Sequence, residues 1–296
     1  MSNLLVAVLV LLYTFQSAFC NLYAKHYPGK KKYSSAVYSV LYGLIVALGT
    51  LVFARFAVHP SPLTLGLGIL NGAALVTYNT LLIKAAVLGP FSVTMIFNLS
   101  GGILIPLFWS ALHDGESLSP WQYAAIAVML VSFVFLNLEE KKEGEEREKV
   151  SLPFVLTVTL LGCVNGLYGT LMNTVERTFD GAENAGMIVV TFASSAVLAF
   201  ILLAVRAKRE TSHAFRQTPR SALFALAASI SACAAINLLM HALSLINVAV
   251  LYTLNNGGVL IVSVLWSVVI LKEKLGRMKV IGLILAIAAV FALSVL

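Results

Sequence analysis

Amides are the groups in this sequence best placed to do chemistry. Asn98 and Asn255 sit inside long apolar runs, accompanied in the first half of the chain by Gln16, Asn21, Asn71, Tyr78, Asn79 and Ser100. The second half adds Asn165, Tyr168, Asn237, Tyr252 and Asn256. Within hydrocarbon such groups either hydrogen-bond between helices or face a water-filled cavity, so each one either ties the bundle together or contacts a polar solute. Amides bind rather than react, because they donate and accept hydrogen bonds but neither titrate nor attack. Lys84 and His241 are the strongly basic groups inside apolar runs, and both lie near run ends. Two readings stand for them: a side chain that reaches back to the membrane interface, or a pair that meets an anionic group or relays a proton. Cys20, Cys163 and Cys233 show no metal-ligand spacing and read as small core residues, so neither a metal nor a cofactor is expected.

The elements that must position these amides are set by composition. Of 296 residues, 59% are apolar and 11% charged, with a mean hydropathy of +0.92, which no ordinary soluble core can use. At roughly 20 residues per crossing the length accommodates about ten spans and no large extramembrane domain. Apolar runs lie near 3–25, 34–56, 62–87, 91–112 and 120–138, then near 152–174, 184–206, 220–244, 247–270 and 277–295. Pro62, Pro90, Pro120 and Pro153 stand at or near helix starts, where a missing N–H costs nothing. The first run, Asn3 to Tyr23, has no preceding Lys or Arg and no small-x-small cleavage site after it, and is expected to be a retained helix.

The segment from Glu139 to Lys149, EEKKEGEEREK, cannot enter hydrocarbon and divides the chain near its middle. The expected organisation is a five-helix repeat over 1–138, a charged linker over 139–150 and a second five-helix repeat over 151–296. Residues 80–118 slide onto 237–275 without a gap. Asn98 then falls on Asn255, Gly101 on Gly258, Trp109 and Ser110 on Trp266 and Ser267, Glu116 and Leu118 on Glu273 and Leu275, and Lys84 on His241. A weaker match sets Gln16 against Asn165. Five helices per half require the second half to enter the membrane inverted. The charges agree: of the 20 Lys and Arg, all but Arg55, Lys84 and Arg177 fall in odd-numbered turns. By the positive-inside rule those turns are cytoplasmic and both termini are outside. The formal charge of +7 therefore reports orientation and not a nucleic-acid partner.

These residues resemble the ten-helix, EamA-type branch of the drug/metabolite transporter superfamily. The ending LKEKLGRMKVIGLILAIAAVFAL, with Glu273, Leu275 and Gly282, looks like that family's repeat ending, and Glu116, Leu118 and Ala125 repeat it in the first half. Ala85 and Gly89-Pro90-Phe91-Ser92 look like the family's turn before the fourth span. Many relatives carry a proline in the fourth and ninth helices shortly after the position where this chain has the pairs Gly101-Gly102 and Gly257-Gly258, and some place both termini in the cytoplasm. The resemblance implies a fold of two inverted five-helix repeats, an all-α polytopic membrane protein of ten transmembrane helices. It also implies a solute site in a central cavity lined by the first, third and fourth helices of each half.

The expected function is secondary transport by alternating access, with Asn98 and Asn255 as the leading site residues and Gln16, Asn165, Tyr78, Asn79, Asn237, Tyr252, Asn256 and Tyr168 as further candidates. Small multidrug antiporters of the same superfamily use a carboxylate on the first helix, where this chain has Gln16 and Asn21. A neutral, zwitterionic or weakly anionic metabolite is therefore expected ahead of a lipophilic cation, with export of an amino-acid-like solute favoured by analogy. A lipid-modifying enzyme would need clustered Asp or His near the interface, which the sequence lacks, so no enzymatic activity is expected. A headgroup flippase or sensor on the same fold stays open. The expected partners are a small-molecule substrate and the bilayer, without nucleic acid, in a bacterial inner membrane; two fused halves make a monomer sufficient.

Overall fold

The computed structural model describes residues 2–89, 91–115, 117–137, 151–270 and 276–295. The turn residues Glu116, Glu273 and Leu275 and the charged segment 139–150 lie outside the described residues. Among those described, ten helices of 18 residues or more are present and no strand. They are α1 (Ser2–His26), α2 (Lys31–Phe53), α3 (Pro62–Leu88), α4 (Phe91–Trp109), α5 (Pro120–Asn137), α6 (Leu152–Phe179), α7 (Asn184–Ala207), α8 (Pro219–Leu243), α9 (Val248–Ile270) and α10 (Arg277–Val295). Seven runs are long and apolar enough to cross a membrane, and Pro120–Leu136 and Val248–Val262 form shorter apolar helices. Large apolar side chains cover the exterior, among them Phe53, Leu112, Trp121 and Phe291, an arrangement suited to lipid and not to water.

Local chemistry explains most helix ends. Pro62 and Pro120 open α3 and α5, and Pro153 sits in the first turn of α6. Thr218 and Ser221 close a reciprocal capping box in front of Pro219, the Ser221 N–H donating to the Thr218 hydroxyl at 3.1 Å and the Thr218 N–H to the Ser221 hydroxyl at 2.9 Å. Two ends depart from the apolar pattern. Helix α2 stops at Phe53 because the chain reverses through Arg55 and Phe56, both with positive φ. Helix α6 continues past the expected limit near 174 until Asp180 and Gly181, whose left-handed backbone brings the Gly181 N–H to the Glu176 carbonyl at 3.1 Å. The extension takes Arg177 out of a turn and into a helix, and leaves the Glu176 carboxyl 3% exposed, 3.6 Å from the Arg177 guanidinium. Helix α4 also contains Pro106, one turn beyond Gly102.

The described residues form two compact units, each drawing helices from both sides of the charged segment. One unit joins Met1–Val10, Tyr78–Thr170 and Leu245–Leu296. In it α5 packs along α10, and α4 and α9 lie against them, around Ile103, Ile126, Met129, Phe133, Leu254 and Ala286. Gly282 lets α10 approach α5 closely, since a Cβ there would sit 2.6 Å from the Leu136 backbone nitrogen. The close approach gives a physical reason for a glycine in the repeat ending.

The other unit joins Leu11–Thr77 and Leu171–Ser244, with α2 packed between α7 and α8. Gly43 and Gly49 make room on α2 for the Phe192 carbonyl and the Cys233 thiol. Gly68 and Gly72, read from the sequence as a close-contact pair, pack on Val190 and on Thr191 and Ser194 of α7. The turn before α3 is tied to the turn before α7, where the Ser61 N–H donates to the Glu183 carboxylate at 2.8 Å. Desolvation pushes the Glu183 carboxyl up, but hydrogen bonds from Thr64 and Ser61 outweigh it and hold the group below the usual carboxylate range. A lowered folded-state value means stability that is present above the unfolded value of about 4.3 and is lost as pH falls through the folded value. Glu183→Gln is expected to flatten the acid limb of a thermal-unfolding profile below about pH 4.5, leaving the neutral limb slightly lower than wild type.

Candidate functional site

The first unit gathers amides from several helices at one place. The Asn98 side-chain nitrogen, on α4, donates to the Tyr78 hydroxyl of α3 at 3.2 Å. From α6, the Asn165 side-chain nitrogen donates to the Asn98 backbone carbonyl at 2.9 Å. Gly102, one turn along α4 from Asn98, leaves the space these amides occupy: a Cβ there would lie 2.6 Å from the Asn165 Nδ2 and 3.4 Å from the Asn256 Nδ2 of α9. Beside them Tyr252 of α9 is buried and donates its hydroxyl to the Gly169 carbonyl of α6 at 3.3 Å. Tyr78, Asn98, Asn165 and Asn256 thus form one uncharged cluster of hydrogen-bonding groups.

The cluster is incompletely satisfied. Asn98 is 5% exposed and its Oδ1 has no hydrogen-bond partner among the described residues. Asn255, its counterpart across the offset of 157, is 7% exposed and its Oδ1 is likewise unpartnered. An unmet buried amide oxygen costs about 1–3 kcal/mol, and within the cluster the Asn98 Oδ1 is such an open acceptor. Chemically such a site offers hydrogen bonds without charge, and suits a small polar molecule.

Gln16 and Asn237 belong to the second unit, where Gln16 donates to the Tyr42 hydroxyl at 3.3 Å. The Asn237 side chain donates to the Thr50 hydroxyl at 2.9 Å and to the Cys233 carbonyl at 2.8 Å, stitching α8 to α2. Asn237→Ala is expected to lower stability by about 0.5–2 kcal/mol, read as a drop in the unfolding midpoint, because it strands the Thr50 hydroxyl. Asn79 and Tyr168 are half-buried. Lys84 is exposed, and the same groove holds Leu156 and Thr157 of α6. His241 is exposed near the end of α8. Sequence reasoning missed Tyr42 and Thr50 as amide partners, since only packing pairs residues 26 and 187 positions apart. It also had no signal for Asn71, fully buried on α3 with both amide atoms unpartnered, beyond its place in an apolar run.

Residues 153–295 match the EamA-like transporter family. The second half of this chain belongs to that family. The EamA-like match agrees, over the second half of the chain, with the resemblance read from the repeat ending to membrane transporters of the drug/metabolite type. A solved crystal structure, which carries no functional description, superposes with a TM-score of 0.71 over 99% of this chain and 98% of its own, at 18% sequence identity. That likeness covers both halves of the chain and speaks to the fold alone. Among the curated proteins no relative matches the chain. The protein is an all-α, integral, multi-pass membrane protein.

Proposed function

We propose that this protein is a secondary transporter for a small neutral, zwitterionic or weakly anionic metabolite, with the Tyr78, Asn98, Asn165 and Asn256 cluster as its binding site. The observation that carries the reading is the open Oδ1 of Asn98 inside a cluster already built from four helices. An orphaned acceptor at 5% exposure fits a ligand that brings a donor, such as the ammonium of an amino-acid-like solute, because a charge-assisted hydrogen bond recovers more than the neutral bond it replaces. The absence of carboxylates from the cluster disfavours a lipophilic cation as cargo. An EamA-type chain works without enzymatic chemistry on this reading.

Duplication with inversion belongs to the same proposal. Gly101 of α4 packs on Gly162 of α6, the first helix of the second half, whereas its counterpart Gly258 of α9 packs on Val10 of α1, the first helix of the first half. Such reciprocal exchange is what two inverted copies would make. The lysine- and arginine-rich odd turns are then cytoplasmic, and solute moves by alternating access in a bacterial inner membrane. The test is a metabolite panel in proteoliposomes with and without a pH gradient. Saturable flux of an amino-acid-like solute supports the proposal, and its acceleration by the gradient would add proton coupling. Flux absent across the panel, with no ligand-induced shift in unfolding temperature, would leave a membrane-embedded lipid-modifying enzyme, or a headgroup flippase or sensor, in its place.

A further inference from the structure

Two turns rich in basic residues are brought together within the second unit. Lys25, Lys30, Lys31 and Lys32 surround the turn between α1 and α2; Arg206, Lys208, Arg209, Arg216 and Arg220 surround the one between α7 and α8, where Glu210 is the sole acid. The Tyr27 hydroxyl donates to the Ala214 carbonyl at 2.6 Å in a buried bond, and Gly29 lets the chain cross the Tyr27 ring, since a Cβ there would meet it at 2.6–2.8 Å. The latch borders an open cavity of about 500 Å³ whose wall includes Lys30, Tyr33, Glu210, His213 and Arg216. Glu210 is occupied on both oxygens, by the Lys30 ammonium at 2.6 Å and the Tyr33 hydroxyl at 3.3 Å. Arg216 and His213 have no side-chain partner among the described residues, so the wall presents a guanidinium and an imidazole against an acid that is already neutralised.

From this we infer that the cavity binds the phosphate of an anionic lipid headgroup. A guanidinium fork matches a phosphate with two parallel bonds, and the ammonium of Lys30 keeps donors to spare after its bond to Glu210. The volume lies within the range of small-ligand pockets. The lipid source follows from position: the cavity is walled by the turns that join α1 to α2 and α7 to α8, where apolar spans give way to the depth at which headgroups lie, and basic pockets at such depth hold anionic headgroups. A diffuse basic face would attract the same lipids without a fixed site, and this difference can be measured.

The experiment follows the thermal-unfolding midpoint of the full chain in neutral detergent as dioctanoyl phosphatidylglycerol, dioctanoyl phosphatidylcholine or inorganic phosphate is added. Phosphatidylglycerol is expected to raise the midpoint saturably by about 3 °C or more, with the other two nearly silent. Arg216→Gln with His213→Gln is expected to weaken the apparent affinity by roughly tenfold or more, and Arg216→Lys to weaken it with the charge kept. Arg206→Gln removes the same charge from the same turn outside the cavity, and should leave the response intact. The exposed Arg216 and His213 lack partners, so midpoints without lipid should match wild type; if the double variant does not fold, Arg216→Lys decides. An unaltered response in the Arg216 variants, or an equal loss in Arg206→Gln, would overturn the inference. The same saturable rise with inorganic phosphate, abolished by the same variants, would overturn the lipid assignment.

Discussion

Asn98→Leu is expected to leave the protein as stable as wild type while cutting kcat/KM for transport by about 10–100-fold. Leucine removes the bond to Tyr78, worth about 0.5–1.5 kcal/mol in general and about 0.6 kcal/mol on average between membrane helices. It also removes the unmet Oδ1, whose burial costs about 1–3 kcal/mol, while leaving the Tyr78 hydroxyl without that donor, so the balance is near zero. Loss of a charge-assisted bond to solute, about 1.5–3 kcal/mol, converts to the stated fall at about 1.4 kcal/mol per tenfold. The two readings of the buried amides part company here. An Asn98 that served as interhelical glue would lower the unfolding midpoint when replaced, in step with any loss of flux. Flux at the wild-type level in Asn98→Leu would remove the residue from the site.

Gly101→Ala is expected to cost about 3 kcal/mol or more, near the upper end of overpacking effects, and to deplete the folded protein recovered from membranes. A methyl group at Gly101 would overlap the carbonyl and Cα of Gly162, which are backbone and have no rotamer to yield. The neighbouring contacts share the constraint, because a Cβ on Gly166 would sit 2.5 Å from the Gly101 carbonyl oxygen. Helices α4 and α6 would have to separate, and the bond from Asn165 to the Asn98 carbonyl would open with them. Gly257 offers the comparison. There a methyl meets the thioether end of Met129, a flexible chain that can move aside, and alanine gains about 1 kcal/mol of helix propensity over glycine. Gly257→Ala is therefore expected to be neutral within about 1 kcal/mol. Equal midpoints for wild type and Gly101→Ala would show that the seam between α4 and α6 is looser than its geometry indicates.

Sequence alone determined the ten helices and their class, because each helix in lipid must satisfy its own backbone and therefore appears as an uninterrupted apolar run closed by proline, glycine or charge. The start of α3 at Pro62 and of α5 at Pro120 follow from such local signals. The end of α6 did not, since apolarity fades near 174 while the reversing residues are Asp180 and Gly181. A residue type also marked the amides as the polar groups of the interior, for the cost of placing them there is independent of their neighbours. Tertiary structure alone decided their company: Asn98 joins Tyr78, Asn165 and Asn256, while Asn237 binds Thr50 and Gln16 binds Tyr42. It also decided that Gly101 is held against a neighbouring backbone, and that two basic turns far apart in the chain share one cavity. In a chain this uniformly apolar, periodicity cannot say which side of a helix meets which neighbour; small residues and close backbone contact settle that once the helices are assembled.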